Sequence, residues 1–302
     1  LGEVDCFCSN NYLGLANHPD VVEAGIEGLR RFGAGTSSVR FICGTFAPHE
    51  ALEERIASFL GVEASYTFVS CWNATEATFP TLCQDGDVIV SDELNHACII
   101  DSMRLTTAIH RGVSKCIYKH SDMESLREAL VTATEKRSLD GSIFVITDGV
   151  FSMEGDIALL PDIRSLCDEF GAVLVVDDSH GTGVMGETGR GTHEHYGMAG
   201  KDIDIFTGTL GKALGGGAGG YVAGKREAVE LLVQRGRPTL FSNALPVTVA
   251  CSAKTAIDTL VENPFLVQKL RDNVASTRNG IGEVGLEVLE SPTAICPIIV
   301  GE

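Results

Sequence analysis

Residues 173–181 read VLVVDDSHG: four apolar residues are followed by two acids, a serine and a histidine. Other short apolar runs, rich in β-branched residues, occur at 66–69, 87–90, 143–147 and 203–207. Patterns typical of amphipathic helices lie between the runs, at 20–32, 50–60, 124–136 and 161–170. Buried strands that alternate with helices are typical of a mainly parallel sheet with helices on both faces. The sequence therefore predicts an α/β fold.

Polar residues follow these strands at the carboxyl ends, where open parallel sheets bind ligands. Asp177 and His180 follow the run at 173–176, and Lys212 follows the run at 203–207 within the segment TGTLGKALGG. A lysine with so few charged neighbours is expected to lie in a pocket. Desolvation there lowers the pKa of the amine and leaves it free to react.

A lysine amine, an acid and a histidine at one sheet edge indicate a pyridoxal phosphate (PLP) enzyme, with Lys212 as the residue that binds the aldehyde. Asp177 is expected to keep the pyridine nitrogen protonated, and His180 to bond the ring hydroxyl. Backbone amides at 70–73, which open a helix, and the Thr209 hydroxyl are candidates for the phosphate site. The glycines at 215–220 do not match a nucleotide loop and are expected to allow close backbone packing.

The composition argues against several classes of partner. The chain has 302 residues and a net charge of -18, which disfavours nucleic acid and anionic membranes as partners. We find no signal peptide and no apolar run long enough to span a membrane. The ten cysteines lack metal-site spacing and are expected to be reduced, mostly buried thiols, so no metal site is predicted.

We expect three parts in the chain: an N-terminal segment at 1–40, a large PLP-binding domain at 41–250, and the start of a truncated small domain at 251–302. Residues 1–8 have the pattern of a strand, and 296–300 have the pattern of a strand that is cut off. We therefore expect that both ends of a longer protein are missing.

Six motifs in order together resemble the α-oxoamine synthases, which are PLP-dependent acyl-CoA:amino acid C-acyltransferases of fold type I. They are SNNYLGL at 9–15, DELNHA at 92–97, TDGVFSMEGD at 147–156, VDDSHGTG at 176–183, the Lys212 segment and RPTLFSN at 237–243. Within the family, SSVRFICGT at 37–45 is most similar to the glycine C-acetyltransferases, also called 2-amino-3-ketobutyrate CoA ligases. The same branch has aspartate at the position of Asp148, where the family often has glutamate.

The resemblance implies roles for the residues around the cofactor ring. Lys212 would hold PLP covalently and later move the α-proton, and Asp177 would pair with the pyridinium nitrogen. His180 and Ser152 would bond the ring hydroxyl. His96 would stack on the ring and guide the acyl thioester, although its sequence context is equally consistent with a histidine that caps a helix or lies in the core.

The resemblance also implies contacts at the ends of the cofactor and substrate. The amides of Cys71 and Trp72 would bind the phosphate together with Thr209. Asn10 would help to place the amino-acid carboxylate. Ser242 would reach the phosphate of the partner subunit's cofactor, so the active unit is expected to be a homodimer. The family's carboxylate-binding arginine would lie beyond Glu302.

The implied reaction converts glycine and acetyl-CoA to 2-amino-3-oxobutyrate and CoA, or the reverse in threonine degradation. One alternative is an 8-amino-7-oxononanoate synthase, which condenses alanine with a longer acyl-CoA. Another is a non-catalytic partner subunit, but such subunits commonly lose the lysine that is present here as Lys212. A nucleotide-binding protein is disfavoured because no glycine fingerprint follows the first strand. The expected compartment is the cytoplasm, or the mitochondrial matrix in a eukaryote.

Overall fold

The computed structural model describes residues 2–3 and 5–298. Its strands are β1 Ala64–Phe68, β2 Val88–Asp92, β3 Ser114–Tyr118, β4 Ile143–Asp148, β5 Val173–Asp177, β6 Ile205–Thr209 and β7 Gly220–Gly224. Within the described residues they form one seven-stranded sheet in the order β1-β7-β6-β5-β4-β2-β3. β7 runs antiparallel to both of its neighbours, and the other pairs are parallel. The mainly parallel sheet is therefore confirmed.

Helices cover both faces of the sheet. They are α1 Pro19–Phe32, α2 Ala47–Leu60, α3 Cys71–Leu82, α4 Ala97–Ile109, α5 Met123–Lys136, α6 Leu160–Phe170, α7 Thr192–His195, α8 Arg226–Arg235, α9 Arg237–Phe241, α10 Val247–Glu262 and α11 Phe265–Glu283. One buried cluster contains side chains of α2, α5, α6 and α10 together with Val145 of β4. A second cluster contains side chains of α3, α4 and α8 together with Phe144 and Ile146, which flank Val145 in β4. Successive residues of a strand point to opposite faces, so both faces of β4 are buried, as predicted.

Two strands were not predicted from the sequence. β3 is an edge strand whose Lys115 and Ile117 are exposed while Cys116 and Tyr118 are buried, so it lacks a continuous apolar run. β7 begins and ends with glycine and pairs only with antiparallel neighbours. Sequence patterns that look for continuous β-branched runs miss both kinds of strand.

The predicted strand at residues 1–8 is wrong for the part that the structure describes, because residues 2–3 and 5–10 have no regular structure. At the other end, Ile298 forms one bridge with Val288, while residues 299 and 300 lie outside the described residues. The division at residues 40 and 250 stays a prediction, although α10 runs across its second boundary.

The expectation that most cysteines are buried is also wrong. All ten are free thiols, but the buried ones are only Cys83, Cys98, Cys116 and Cys167. Cys43 is exposed because Arg40 turns inward, where its guanidinium binds Glu53 at 2.7 and 3.1 Å. The apolar residues after Arg40 therefore point outward, with Phe41 62% and Ile42 69% exposed. No helix among the described residues is long and apolar enough to cross a membrane.

Candidate active site

Three central strands end in a row of polar side chains. The register of β4, β5 and β6 pairs Asp148 with Asp177 and Asp177 with Thr207. Asp177 is 4% exposed, and its carboxylate accepts hydrogen bonds from the Thr207 hydroxyl at 2.8 Å and the Ser179 amide at 3.1 Å. A buried carboxylate needs such donors, and here they fix its direction at the middle of the sheet edge.

The structure brings Lys212 together with His180. The Lys212 amine lies 2.7 Å from Nε2 of His180, and the Tyr12 hydroxyl lies 2.8 Å from Nδ1 of the same ring. Burial lowers the pKa of Lys212, against the opposing effect of the Asp177 charge. Burial and then the Lys212 charge lower the pKa of His180 to about 4, so this ring is neutral near pH 7.

Tyr12 is a site residue that sequence reasoning did not select. Burial raises the pKa of Tyr12 to about 12, so the phenol stays protonated. Its hydroxyl is also 3.5 Å from the side-chain oxygen of the exposed Asn10. The motif at 9–15 contained the signal, but the contact with His180 spans 168 residues of sequence and no local pattern predicts it.

The two consecutive acids at the end of β5, Asp177 and Asp178, make different contacts. Asp177 faces the site, whereas the buried Asp178 accepts hydrogen bonds from the Thr192 amide and hydroxyl and from the Thr182 hydroxyl. Burial raises the pKa of Asp178 to about 7, although these donors oppose the shift. Asp178 therefore anchors the loop after β5, and Asp177 alone is available to a ligand.

The first turn of α3 offers an anion site. Its N-cap, Ser70, accepts a hydrogen bond from the Asn73 amide at 3.1 Å. The amides of Cys71 and Trp72 precede that bond, and such first-turn amides bind phosphate groups. The Cys71 thiol lies 3.5 Å from a carboxylate oxygen of Asp177, so this cradle adjoins the acid.

The glycine-rich hairpin brings Thr209 to the same region. Gly220, at the start of β7, packs so closely on the beginning of α3 that a Cβ atom there would overlap the Cys71 backbone nitrogen. The expectation of close backbone packing is therefore confirmed at this glycine. The Thr209 hydroxyl accepts a hydrogen bond from the Gly211 amide at 3.1 Å, one residue before Lys212.

His96 caps α4. Its Nδ1 accepts a hydrogen bond from the Cys98 amide at 3.2 Å, and its own amide donates to Asp148 at 2.9 Å. The ring is exposed and meets Trp72 edge-on, with 6.3 Å between ring centroids. Of the alternatives that the sequence left open, the capping role is confirmed. Burial and the neighbouring Asp177 raise the pKa of Asp148.

Two other predicted site residues, Ser152 and Ser242, lie in segments outside the strand ends described above. Ser152 is half-buried in the loop between β4 and α6. Ser242 follows α9 and lines a cavity of about 740 Å³ between α3, α4, α8 and α9, together with Asn73 and Glu76. The contact of Ser242 with a second chain stays a prediction.

The donor set fits PLP. The first-turn amides of α3 and the Thr209 hydroxyl suit a phosphate, the buried Asp177 suits a protonated ring nitrogen, and the half-buried Lys212 amine suits an aldehyde. These groups come from the ends of neighbouring strands and from the loops that follow them, so the fold itself holds them together.

Comparisons with known proteins give consistent matches. The chain matches the family described as aminotransferase class I and II over residues 5–302. An 8-amino-7-oxononanoate synthase from Thermoanaerobacter pseudethanolicus is 46% identical over 300 residues, which cover 99% of this chain and 73% of that protein. A mitochondrial 2-amino-3-ketobutyrate coenzyme A ligase from Bos taurus is 44% identical over 301 residues, with 100% and 70% coverage. A serine palmitoyltransferase structure from S. paucimobilis with bound PLP and myriocin has a TM-score of 0.89 at 29% identity, with 97% and 74% coverage.

The first prediction concerns Lys212. Borohydride makes the bond between a lysine and PLP permanent, so reduction of the PLP-loaded protein should leave the label on the peptide that contains Lys212. We expect Lys212→Ala to take no permanent label and Lys201→Ala, at an exposed position, to be labelled like the wild type. Peptide mass spectrometry measures the outcome, and label elsewhere in Lys212→Ala would contradict the assignment.

The second prediction concerns the contact between Gly220 and α3. Gly220→Ala places a methyl group against backbone that cannot move aside, and overpacking of this kind costs about 1–3 kcal/mol of folding free energy. We expect a lower unfolding temperature and weaker PLP retention, because the displaced backbone belongs to the phosphate cradle. Gly217→Ala is the control, since its Cβ would meet only a Val249 methyl group at 3.4 Å. Equal PLP affinity in both variants would contradict the expected geometry.

Proposed function

We propose a substrate pair for a chain that belongs to the aminotransferase class I and II family and, within it, to the α-oxoamine synthases. This membership confirms the resemblance seen in the sequence, fold type I and the PLP cofactor, and it makes the chain an enzyme of the acyltransferase class. The proposed reaction joins glycine and acetyl-CoA to give 2-amino-3-oxobutyrate and CoA. Its reverse would serve threonine degradation.

The observation that carries the proposal is the half-buried Lys212 amine, 2.7 Å from His180 and within the field of Asp177. An amine of lowered pKa is less fully protonated at neutral pH than an ordinary lysine, so it can bind an aldehyde and later accept a proton. His180 is neutral near pH 7 because its pKa lies at about 4. The ring is therefore suited to hydrogen bonding rather than to holding a positive charge.

In the proposed reaction, Lys212 takes the α-proton of glycine. A carbon–carbon bond then forms between the glycine α-carbon and the acetyl carbonyl carbon, the carbon–sulfur bond breaks, and CoA leaves as the thiolate. The cofactor, when bound, withdraws the electrons that the α-proton leaves behind. Asp177 provides the negative charge that pairs with the protonated ring nitrogen. His96 lies exposed beside Trp72, where we propose that it contacts the ring and the thioester.

The remaining site residues are proposed to position the cofactor and the amino acid. The amides of Cys71 and Trp72 and the hydroxyl of Thr209 would hold the phosphate, and Ser152 would join His180 at the ring hydroxyl. Asn10 would contact the amino-acid carboxylate through its exposed amide. The hydroxyl of Tyr12, two residues later, lies 2.8 Å from Nδ1 of His180. This contact would link the residue proposed to bind the amino acid with a residue proposed to bind the cofactor.

Two observations support glycine and acetyl-CoA. The segment SSVRFICGT at 37–45 and Asp148 both resemble the 2-amino-3-ketobutyrate CoA ligase branch, and a relative of that name is 44% identical. The second candidate, condensation of alanine with a longer acyl-CoA, is favoured by the 46% identity to an 8-amino-7-oxononanoate synthase. A non-catalytic subunit is disfavoured because Lys212, Asp177, His180 and His96 are all present.

We also propose that the chain forms a homodimer through an apolar patch made of Phe41, Ile42 and Phe241, which are 62%, 69% and 72% exposed. A bridge between Val39 and Asn243 joins the two segments that carry these residues. Such side chains are expected to be covered, and Ser242 lies beside them, where it would reach the partner subunit's cofactor. The negative net charge disfavours nucleic acid and membranes as partners, and the free thiols suit the cytoplasm or the mitochondrial matrix.

The third prediction tests the substrates. With glycine and acetyl-CoA, the holoenzyme should release the CoA thiol and form 2-amino-3-oxobutyrate, with a kcat/KM at least about tenfold above that for alanine and pimeloyl-CoA. Thiol release is followed by a colorimetric reagent and the product by mass spectrometry, with Lys212→Ala as the inactive control. The opposite preference would move the assignment to the second candidate. No turnover with either pair would favour the non-catalytic subunit.

The fourth prediction tests the dimer. Phe41→Asp combined with Phe241→Asp places two charges in the apolar patch and should shift the protein from dimer to monomer, because desolvating an unpaired charge at an interface is costly. Sedimentation velocity measures the mass, and Leu139→Asp, at a position that is 97% exposed outside the patch, should stay dimeric. A wild-type monomer, or a double variant that remains dimeric, would contradict the proposal.

A further inference from the structure

His120 lies between two carboxylates close to the candidate site. Its Nδ1 is 3.0 Å from Asp92, and its Nε2 is 2.7 Å from Asp156. The side chain is only 18% exposed, and the ring packs edge-on against the buried Phe151 with 4.4 Å between centroids. The reaction proposed above does not use His120. Packing against Phe151 alone would not require hydrogen bonds at both ring nitrogens, so the two carboxylates indicate a further role.

The geometry determines the charge of this ring. A neutral imidazole has one N–H group, whereas hydrogen bonds to two carboxylates require both nitrogens to donate. Burial opposes the charged form, but the bonds and charges of Asp156 and Asp92 outweigh it and raise the pKa of His120. The other titratable groups around the ring are Glu93, which accepts the His120 amide proton at 2.9 Å, and the buried Tyr118 at the end of β3, two residues before His120.

The two carboxylates belong to different loops of the site. Asp92 ends β2 and also accepts the Leu94 amide at 2.9 Å, so it fixes the short loop that leads to His96. Asp156 closes the loop after β4 that carries Ser152, and its carbonyl accepts the Phe151 amide at 3.0 Å. His120 therefore connects the loop at 92–97 with the loop at 150–157 through its two ring nitrogens.

We propose that His120 is a positioning residue whose protonated ring holds these two loops together and so helps to fix the positions of His96 and Ser152. The inference rests on the roles proposed above for His96 and Ser152. Since the double hydrogen bond is present below the raised pKa of His120 and one bond is lost as the pH rises through it, the clamp should loosen as the pH passes that pKa.

The test uses amide hydrogen exchange in the PLP-loaded protein, followed by mass spectrometry of peptides that cover 92–97 and 150–157. After correction for the intrinsic effect of pH, protection of both loops should fall in the wild type as the pH rises through the His120 pKa, which NMR of the histidine ring measures. Below the His120 pKa, His120→Asn should raise exchange in both loops about tenfold or more and lower kcat by a similar factor, and this difference from the wild type should shrink as the pH rises through that pKa. His110→Asn is the matched control, because His110 makes one ring contact, 3.0 Å to the Pro80 carbonyl.

Asp156→Asn provides a second, gentler variant. With an amide at this position, a neutral ring can donate to Asp92 through Nδ1 and accept from the amide through Nε2. The clamp should then survive deprotonation of the ring, so the loss of protection and of kcat with rising pH should disappear while the pKa of His120 falls. This variant changes a side chain that is 37% exposed and should fold even if His120→Asn does not.

Two outcomes would overturn the inference. One is equal loop protection in His120→Asn and His110→Asn below the His120 pKa, and the other is a loss with rising pH in Asp156→Asn that matches the wild type. The exchange result does not depend on the substrates. A protein that binds PLP but acts on neither substrate pair would therefore refute the proposed function, while loop protection would still decide the role of His120.

Discussion

The buried carboxylate of Asp177 is the constraint around which the site is arranged. A negative charge that is 4% exposed is tolerated only with donors and a nearby positive group. The parallel register supplies the first donor, because it sets Thr207 of β6 beside Asp177 of β5. The loop after β6 supplies Lys212, whose charge the Asp177 field favours. The position of the lysine is therefore a consequence of strand pairing rather than of the lysine segment alone.

The same register places a second carboxyl group beside Asp177. Asp148 of β4 pairs with Asp177, and it is energetically unfavourable for two adjacent buried carboxyl groups to be ionised at the same time. Burial and Asp177 accordingly raise the pKa of Asp148, and its carboxyl group accepts the His96 amide at 2.9 Å. This hydrogen bond ties the loop that carries His96 directly to the end of β4.

Much of the strand framework and the placement of Lys212 and Asp177 at the carboxyl edge of the sheet could be predicted, because each depends on a local pattern: an apolar run followed by a polar strand end. Contacts between distant loops could not. Tyr12 meets His180 across 168 residues, and His120 joins carboxylates that are 28 and 36 residues away. A single sequence contains no periodicity that records such pairs. Two strands escaped for simpler reasons: β3 alternates exposed and buried residues, and β7 is bounded by glycines and contains one β-branched residue, Val222.

The exposed segment at 41–43 shows how a neighbouring ion pair can override the preference of apolar side chains for burial. Apolar side chains favour burial, yet Arg40 is held inward by Glu53, and this pairing turns Phe41 and Ile42 toward solvent. The ion pair has side chains that are only 6% and 12% exposed, and desolvating its two charges opposes folding. The exposed apolar side chains beside it add a second unfavourable term, which the proposed dimer contact would remove by covering them. The patch adjoins Ser242, so the proposed dimer contact would bury the patch and bring Ser242 to the partner subunit.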